Sequence, residues 1–187
     1  MRIDTSNIFE IAESSDKVVC PPAQVFKNEN MDFLLTIGGH IVEDKSEYQR
    51  LMNLLIEIGE ENFLIRENLG ATITDRTIPF EAKISVKSTL DEFNNKIKEF
   101  DKHFGLTPWH WFVNGQKKTW GIYISEYPTV NIIGCDQSLT EKFRTVFNII
   151  DNGYEKEKEF LNQEFNVAKD ANFKRQFLDN YNIEKTP

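Results

Sequence analysis

The chain reads as an α+β protein, a two-layer domain whose largely antiparallel sheet packs helices on one face, followed by a C-terminal helical extension. Three observations predict it. Residues 80–87 alternate Phe80, Ala82, Ile84 and Val86 with Glu81, Lys83, Ser85 and Lys87, the period of a strand with one buried and one wet face. Residues 109–113, 119–125 and 129–134 are aromatic and β-branched runs separated by Asn114-Gly115-Gln116-Lys117-Lys118 and Glu126-Tyr127-Pro128, which suit the turns of an antiparallel meander. Leu51, Leu54, Leu55 and Ile58, then Leu90, Phe93, Ile97, Phe100 and Phe104, recur at helical spacing.

In chain order, residues 1–30 read as an extended, surface-lying arm, because Cys20-Pro21-Pro22 excludes a helix there. Residues 33–42 read as a strand or hairpin containing Gly38-Gly39, and 46–58 as a helix that Gly59 stops. Short strands are expected at 63–66, 71–74 and 79–86. Ser88 or Thr89, with Asp91 and Glu92 in the first turn, caps a helix ending at Gly105. After the meander, Ser138 and Glu141 have the spacing of a capping box for a helix through Ile150, broken by Asn152-Gly153. From Tyr154 to Tyr181 two apolar stripes, Leu161-Phe165-Ala168 and Phe173-Phe177-Tyr181, are out of phase, so the helix is expected to bend or break near Asp170 to Asn172. The expected division is an arm (1–30), a core domain (31–150) and a helical extension (151–187).

With 40% hydrophobic and 28% charged residues, and with 15 Phe, 5 Tyr and 3 Trp, the composition is that of a folded protein. No apolar run approaches the roughly 20 residues that cross a bilayer, and the first residues carry Asp4, Glu10 and Glu13, so neither export nor a membrane partner is expected. Cys20 and Cys135 lack CxxC or Cys/His neighbours, which makes a reducing cytoplasm the expected compartment and a structural zinc site unexpected. The net charge is −8, and it is uneven: residues 1–70 hold 13 acidic against 6 basic side chains, while 71–150 hold 9 against 10. Such a surface repels a phosphate backbone and steers a basic protein partner toward it.

Three places could carry chemistry. The order helix, three strands, helix, strand over residues 46–113 is similar to the core of PD-(D/E)xK nucleases, and Glu81-Ala82-Lys83 matches their short ExK signature. That resemblance implies Asp75 and Glu81 as ligands of Mg²⁺, Lys83 polarising the attacking water, and Glu57 as a helix carboxylate. Against it, Glu81, Lys83 and Ser85 are also what the solvated face of an amphipathic strand looks like. Cys135 ends a strand just before a helix, where the dipole lowers a thiol pKa, and His110 could serve as its base in a hydrolase or ligand-binding site; a core or rim thiol is the commoner role of such a residue. His110 alternates to the face opposite Trp109 and Trp111, alongside Phe112. Third, the meander tryptophans beside Lys117-Lys118 could stack a base, but a meander must bury one face in any case, so nucleic acid is not the expected partner.

The functional expectation is therefore a non-catalytic cytoplasmic protein that binds another protein, for example an inhibitor or immunity-type protein for a basic partner. Glu43, Asp44, Glu57, Glu60, Glu61 and Glu67 are the residues expected to meet that partner, without a cofactor. Phe173, Phe177 and Tyr181 form a stripe that must be covered, by the domain or by a second copy in a homodimer. The metal-dependent nuclease and the Cys135 hydrolase are the alternatives.

Overall fold

A computed structural model of the chain describes residues 3–11, 19–28, 30–38, 44–71, 77–104, 110–149, 155–168 and 171–181. Its strands are β1 (Asp32–Ile37), β2 (Asn62–Glu67), β3 (Glu81–Ser85), β4 (Trp111–Gly115), β5 (Trp120–Ile124) and β6 (Val130–Cys135). Its helices are α1 (Lys45–Glu57), α2 (Leu90–Phe104), α3 (Thr140–Val146), α4 (Glu155–Ala168) and α5 (Ala171–Asn180). The strands form one antiparallel sheet in the order β1-β6-β5-β4-β2-β3, so the fold is α+β.

Local chemistry explains the element boundaries. Asp44 caps α1 by accepting from Glu47 N (2.8 Å), and Gly59, at φ 79°, closes it: Gly59 N donates to Ile56 O (2.9 Å) and Glu60 N to Leu55 O (2.8 Å), the paired bonds of a glycine-terminated helix. Thr89 and Glu92 cap α2 reciprocally, with Thr89 N donating to Glu92 Oε2 (2.7 Å) and Glu92 N to Thr89 Oγ1 (3.2 Å). The expected box at Ser138 does not form. Residues Gln137–Leu139 wind into a 3₁₀ turn instead, and α3 starts without a side-chain cap. It also ends earlier than expected, Asn148 turning the chain at φ 52°. Ala71, expected to begin a strand, lies in a 3₁₀ turn (Leu69–Ala71); residues 72–74 of that strand and 39–42 of the first hairpin lie outside the described residues.

The two sheet faces have different covers. Phe63, Val113, Trp120, Ile122, Ile133 and Leu34 share one face, and α1, α2 and α3 close over it, with Phe63 against Phe93 (6.5 Å between ring centroids) and Trp120 against Phe143 (5.9 Å). On the other face Gly121 and Gly134 are cross-strand partners, and their missing side chains leave a trough. A Cβ on Gly121 would stand 2.7 Å from Phe9 Cζ, and one on Gly134 2.6 Å from Phe26 Cε1. Phe9 and Phe26 therefore lie in this trough, and the Phe9 ring meets Phe112 at a tilt, 4.9 Å between centroids. The arm is accordingly not surface-lying: Ile8, Phe9, Val25 and Phe26 are core residues.

The extension docks beside the arm on the same face. Tyr181 Oη donates to Ala23 O (2.7 Å), its ring meets Phe33 edge-on at 5.6 Å, and Phe177 packs between Phe165 (6.1 Å) and Tyr181 (5.0 Å). Glu164 of α4 accepts from Thr129 N (2.8 Å) and Thr129 Oγ1 (2.7 Å), fastening the helix to the β5–β6 turn. The two stripes belong to two helices, as their phase requires. The homodimer expected on Phe173, Phe177 and Tyr181 is corrected by this packing: Phe177 and Tyr181 are buried within the chain, and Phe173 lies against Tyr127 (5.1 Å) and Phe165. No helix among the described residues is long and apolar enough to cross a membrane.

Candidate functional site

Cys135 closes β6 opposite Trp120 and Asp32, on the face that α1 and α3 cover. It is wholly buried, and burial, with Asp32 and Asp136 nearby, pushes its thiol up to about 12, the reverse of the lowering expected from a helix terminus. Thr140 Oγ1 stands 3.9 Å from its sulfur and donates to Asp32 Oδ2 (2.6 Å), so these groups tie β1, β6 and α3 together. His110 is on the opposite face. The pairing of Cys135 with His110 is thus corrected: the sheet itself separates thiol and imidazole.

His110 belongs to another polar cluster. Asn68 and His110 continue the β2–β4 ladder, Asn68 N donating to His110 O (2.8 Å). The Asn68 amide donates to Tyr123 Oη (2.9 Å) and to Val19 O (2.8 Å) of the arm. Tyr123 Oη and His110 Nδ1 stand 3.1 Å apart, a hydrogen bond whose donor is set by the imidazole tautomer. Burial depresses His110 to about 4 and raises Tyr123 and the half-buried Cys20. Through the bond from Asn68 to Val19 O the cluster clamps the arm to the sheet.

Glu81 and Lys83 lie on β3, both exposed, with Arg66 and Leu64 their cross-strand neighbours. Asp75 lies outside the described residues, so the nuclease constellation is seen only in part. Among the described residues no three His, Cys, Asp or Glu side chains gather to hold a metal ion.

The acidic residues expected to meet a partner divide in two. Glu60 (3% exposed) and Glu67 (1%) are corrected to interior roles. Glu60 accepts from Gln116 N (2.8 Å), Lys117 N (3.0 Å) and Trp120 Nε1 (3.1 Å), organising the β4–β5 hairpin, while Glu67 Oε2 accepts from Phe80 N (3.0 Å) at the start of β3. The signal for Glu60 was Gly115: a Cβ there would lie 2.2 Å from Glu60 Oε1, so the turn glycine makes room for a carboxylate. Asp44, Glu57 and Glu61 remain exposed, Asp44 as the α1 cap and Glu57 paired with Lys142 of α3; Glu43 lies outside the described residues. Asp44 and Glu57 sit at opposite ends of α1, roughly 20 Å apart at 1.5 Å per residue, so they belong to a broad negative region and not to one compact patch. Compared with protein-family models, with curated proteins and with solved structures, the chain matches none.

Proposed function

We propose that this chain is a non-catalytic protein-binding protein of the inhibitor or immunity type, working in the cytoplasm on a basic partner. What supports the reading is the disposition of its reactive and charged groups. Cys135, His110, Tyr123, Glu60 and Glu67 each hold two elements of the fold together, whereas the surplus negative charge of the first third stays outside at Asp44, Glu57 and Glu61. Charge of this kind acts on encounter: it speeds association with an oppositely charged surface and loses its effect beyond a Debye length of about 8 Å at physiological ionic strength.

The test is to isolate a partner from the native host with the tagged full chain and to measure association at low and high salt. A basic partner whose on-rate falls with salt, and falls again in a Glu57→Lys/Glu61→Lys variant but little in Glu126→Lys, supports the reading. An on-rate indifferent to salt and to both variants overturns it.

A further inference from the structure

β3 is an edge strand, paired with β2 alone among the described residues. Glu67 N donates to Phe80 O (2.8 Å) and Val86 N to Glu61 O (3.1 Å), and these two bonds bracket the β2–β3 ladder. Main-chain groups of an antiparallel strand point alternately to its two sides, so Phe80, Ala82, Ile84 and Val86 address β2 while Glu81, Lys83 and Ser85 address the outside. The Ser85 carbonyl is already taken, by Ser88 N (3.0 Å) and Ser88 Oγ (2.7 Å). The N–H and C=O of Glu81 and Lys83 and the N–H of Ser85 have no partner among the described residues. Pro79, next on the same side, has a carbonyl and no N–H.

Charge does not single out an acidic or a basic partner for this edge, since the grooves on its two sides are lined by as many carboxylates as cations. The edge can complement itself. Two copies of β3 paired antiparallel are related by a two-fold axis, and three positions of that axis bring outward-facing groups together. With the axis at Lys83, the two lysines oppose each other and Glu81 N meets the Ser85 carbonyl that is already taken. With the axis at Ile84, Lys83 N meets that same carbonyl. With the axis at Ala82, Glu81 and Lys83 oppose each other twice, and Ser85 stands opposite Pro79. The carbonyl already taken then faces the one residue with no N–H to offer.

We propose that two copies of this chain pair antiparallel through β3, with the two-fold axis at Ala82, joining their sheets edge to edge. Every outward main-chain group of residues 79–85 is then engaged. On the arm's side of the sheet, where Glu81 neighbours Arg66 and Lys83 neighbours Leu64, the seam carries two Glu–Lys pairs. On the helix-covered side it is apolar: Ala82, the smallest side chain of β3, meets its own copy, and Phe80 meets Ile84. Ile78, 77% exposed, comes to Val86 of the second copy and is covered there. This surface is distinct from the Phe173, Phe177 and Tyr181 stripe, which packs within the chain, and it goes beyond the proposed function without resting on it. Lysine and proline on an edge strand also serve to repel pairing. A guard keeps the chain monomeric at any concentration, so the two roles differ in outcome.

The test is sedimentation of the full-length chain from about 1 to about 500 μM, at about 0.15 M salt so that repulsion between chains of charge −8 is screened beyond about 8 Å. A monomer–dimer equilibrium is expected, with amide hydrogen exchange slowed at Glu81, Lys83 and Ser85 as the dimer fills. Glu81→Lys and Lys83→Glu each set like charges opposite one another and should weaken the dimer at least about tenfold, with circular dichroism unchanged. Mixed together, the two variants restore both opposite-charge pairs and should form a one-to-one heterodimer with the same amides protected, which an unfolded variant could not do. A chain that stays monomeric over this range, a dimer that leaves the three amides unprotected, a dimer that neither variant weakens, or a mixture of folded variants that does not pair would each overturn the proposal.

Discussion

At the scale of single residues, the carboxylate and the imidazole buried in this fold give the sharpest expectations. Glu60 accepts from two hairpin amides and from the Trp120 indole, so Glu60→Ala leaves buried donors without an acceptor. A loss of about 3 kcal/mol in a urea melt is expected, with a change in tryptophan fluorescence as the hairpin loosens. His110 predicts a pH dependence of definite sign. Its value falls from 6.5 to about 4 on folding, so between these values the unfolded chain binds a proton that the folded chain refuses. Stability should therefore be full above about pH 6.5 and fall by up to about 3 kcal/mol as the pH drops to about 4, a slope that denaturation of His110→Phe should lack. Cys135, wholly buried, should react with a thiol reagent only at the rate of unfolding, so its labelling should accelerate with denaturant.

At the scale of elements, the extension and the arm stabilise each other on one face of the sheet. Leu161, Phe165, Phe177 and Tyr181 are all buried there, and each large side chain contributes roughly 1.5 to 3 kcal/mol. Truncation after Asp151 should thus lower stability by at least about 5 kcal/mol and release the arm, visible as new protease cleavage before Phe26. Unchanged melting of the truncated chain would contradict the packing. The row Glu81, Arg66, Phe112, Tyr123, Ile132, Leu35 crosses all six strands of this face and passes from charged to aromatic to aliphatic. The arm and extension cover its aromatic and aliphatic length, where Phe112, Tyr123, Ile132 and Leu35 are buried, and Glu81 at the charged end stays exposed.

For the whole molecule, the net charge of −8 acts over about a Debye length. On the function proposed above, raising salt should slow association with a basic partner chiefly through the on-rate and leave the off-rate nearly unchanged, which measurement of both rates against salt checks.

The antiparallel meander, the helices over 45–57 and 90–104, an N-cap at Ser88 or Thr89 and the break in the last helix were legible in the residues, because periodicity and capping are local properties. So was the placement of His110 beside Phe112, which follows from alternation along one strand. Whether Glu60 and Glu67 would face water or backbone amides could not be read locally, since their donors lie at Gln116, Lys117 and Trp120 for one and Phe80 for the other. Composition therefore counted both as surface charge. For Cys135, strand end and helix start suggested an activated thiol against the commoner core thiol, and the closing of α1 and α3 over that face decides for the core. By itself the sequence determined most of the elements and their order, though the 3₁₀ turns at Leu69–Ala71 and Gln137–Leu139 replaced a strand start and a capping box. The tertiary structure alone decided which polar groups are interior, because burial depends on what distant segments place across a face, as the Gly121–Gly134 trough does for Phe9 and Phe26.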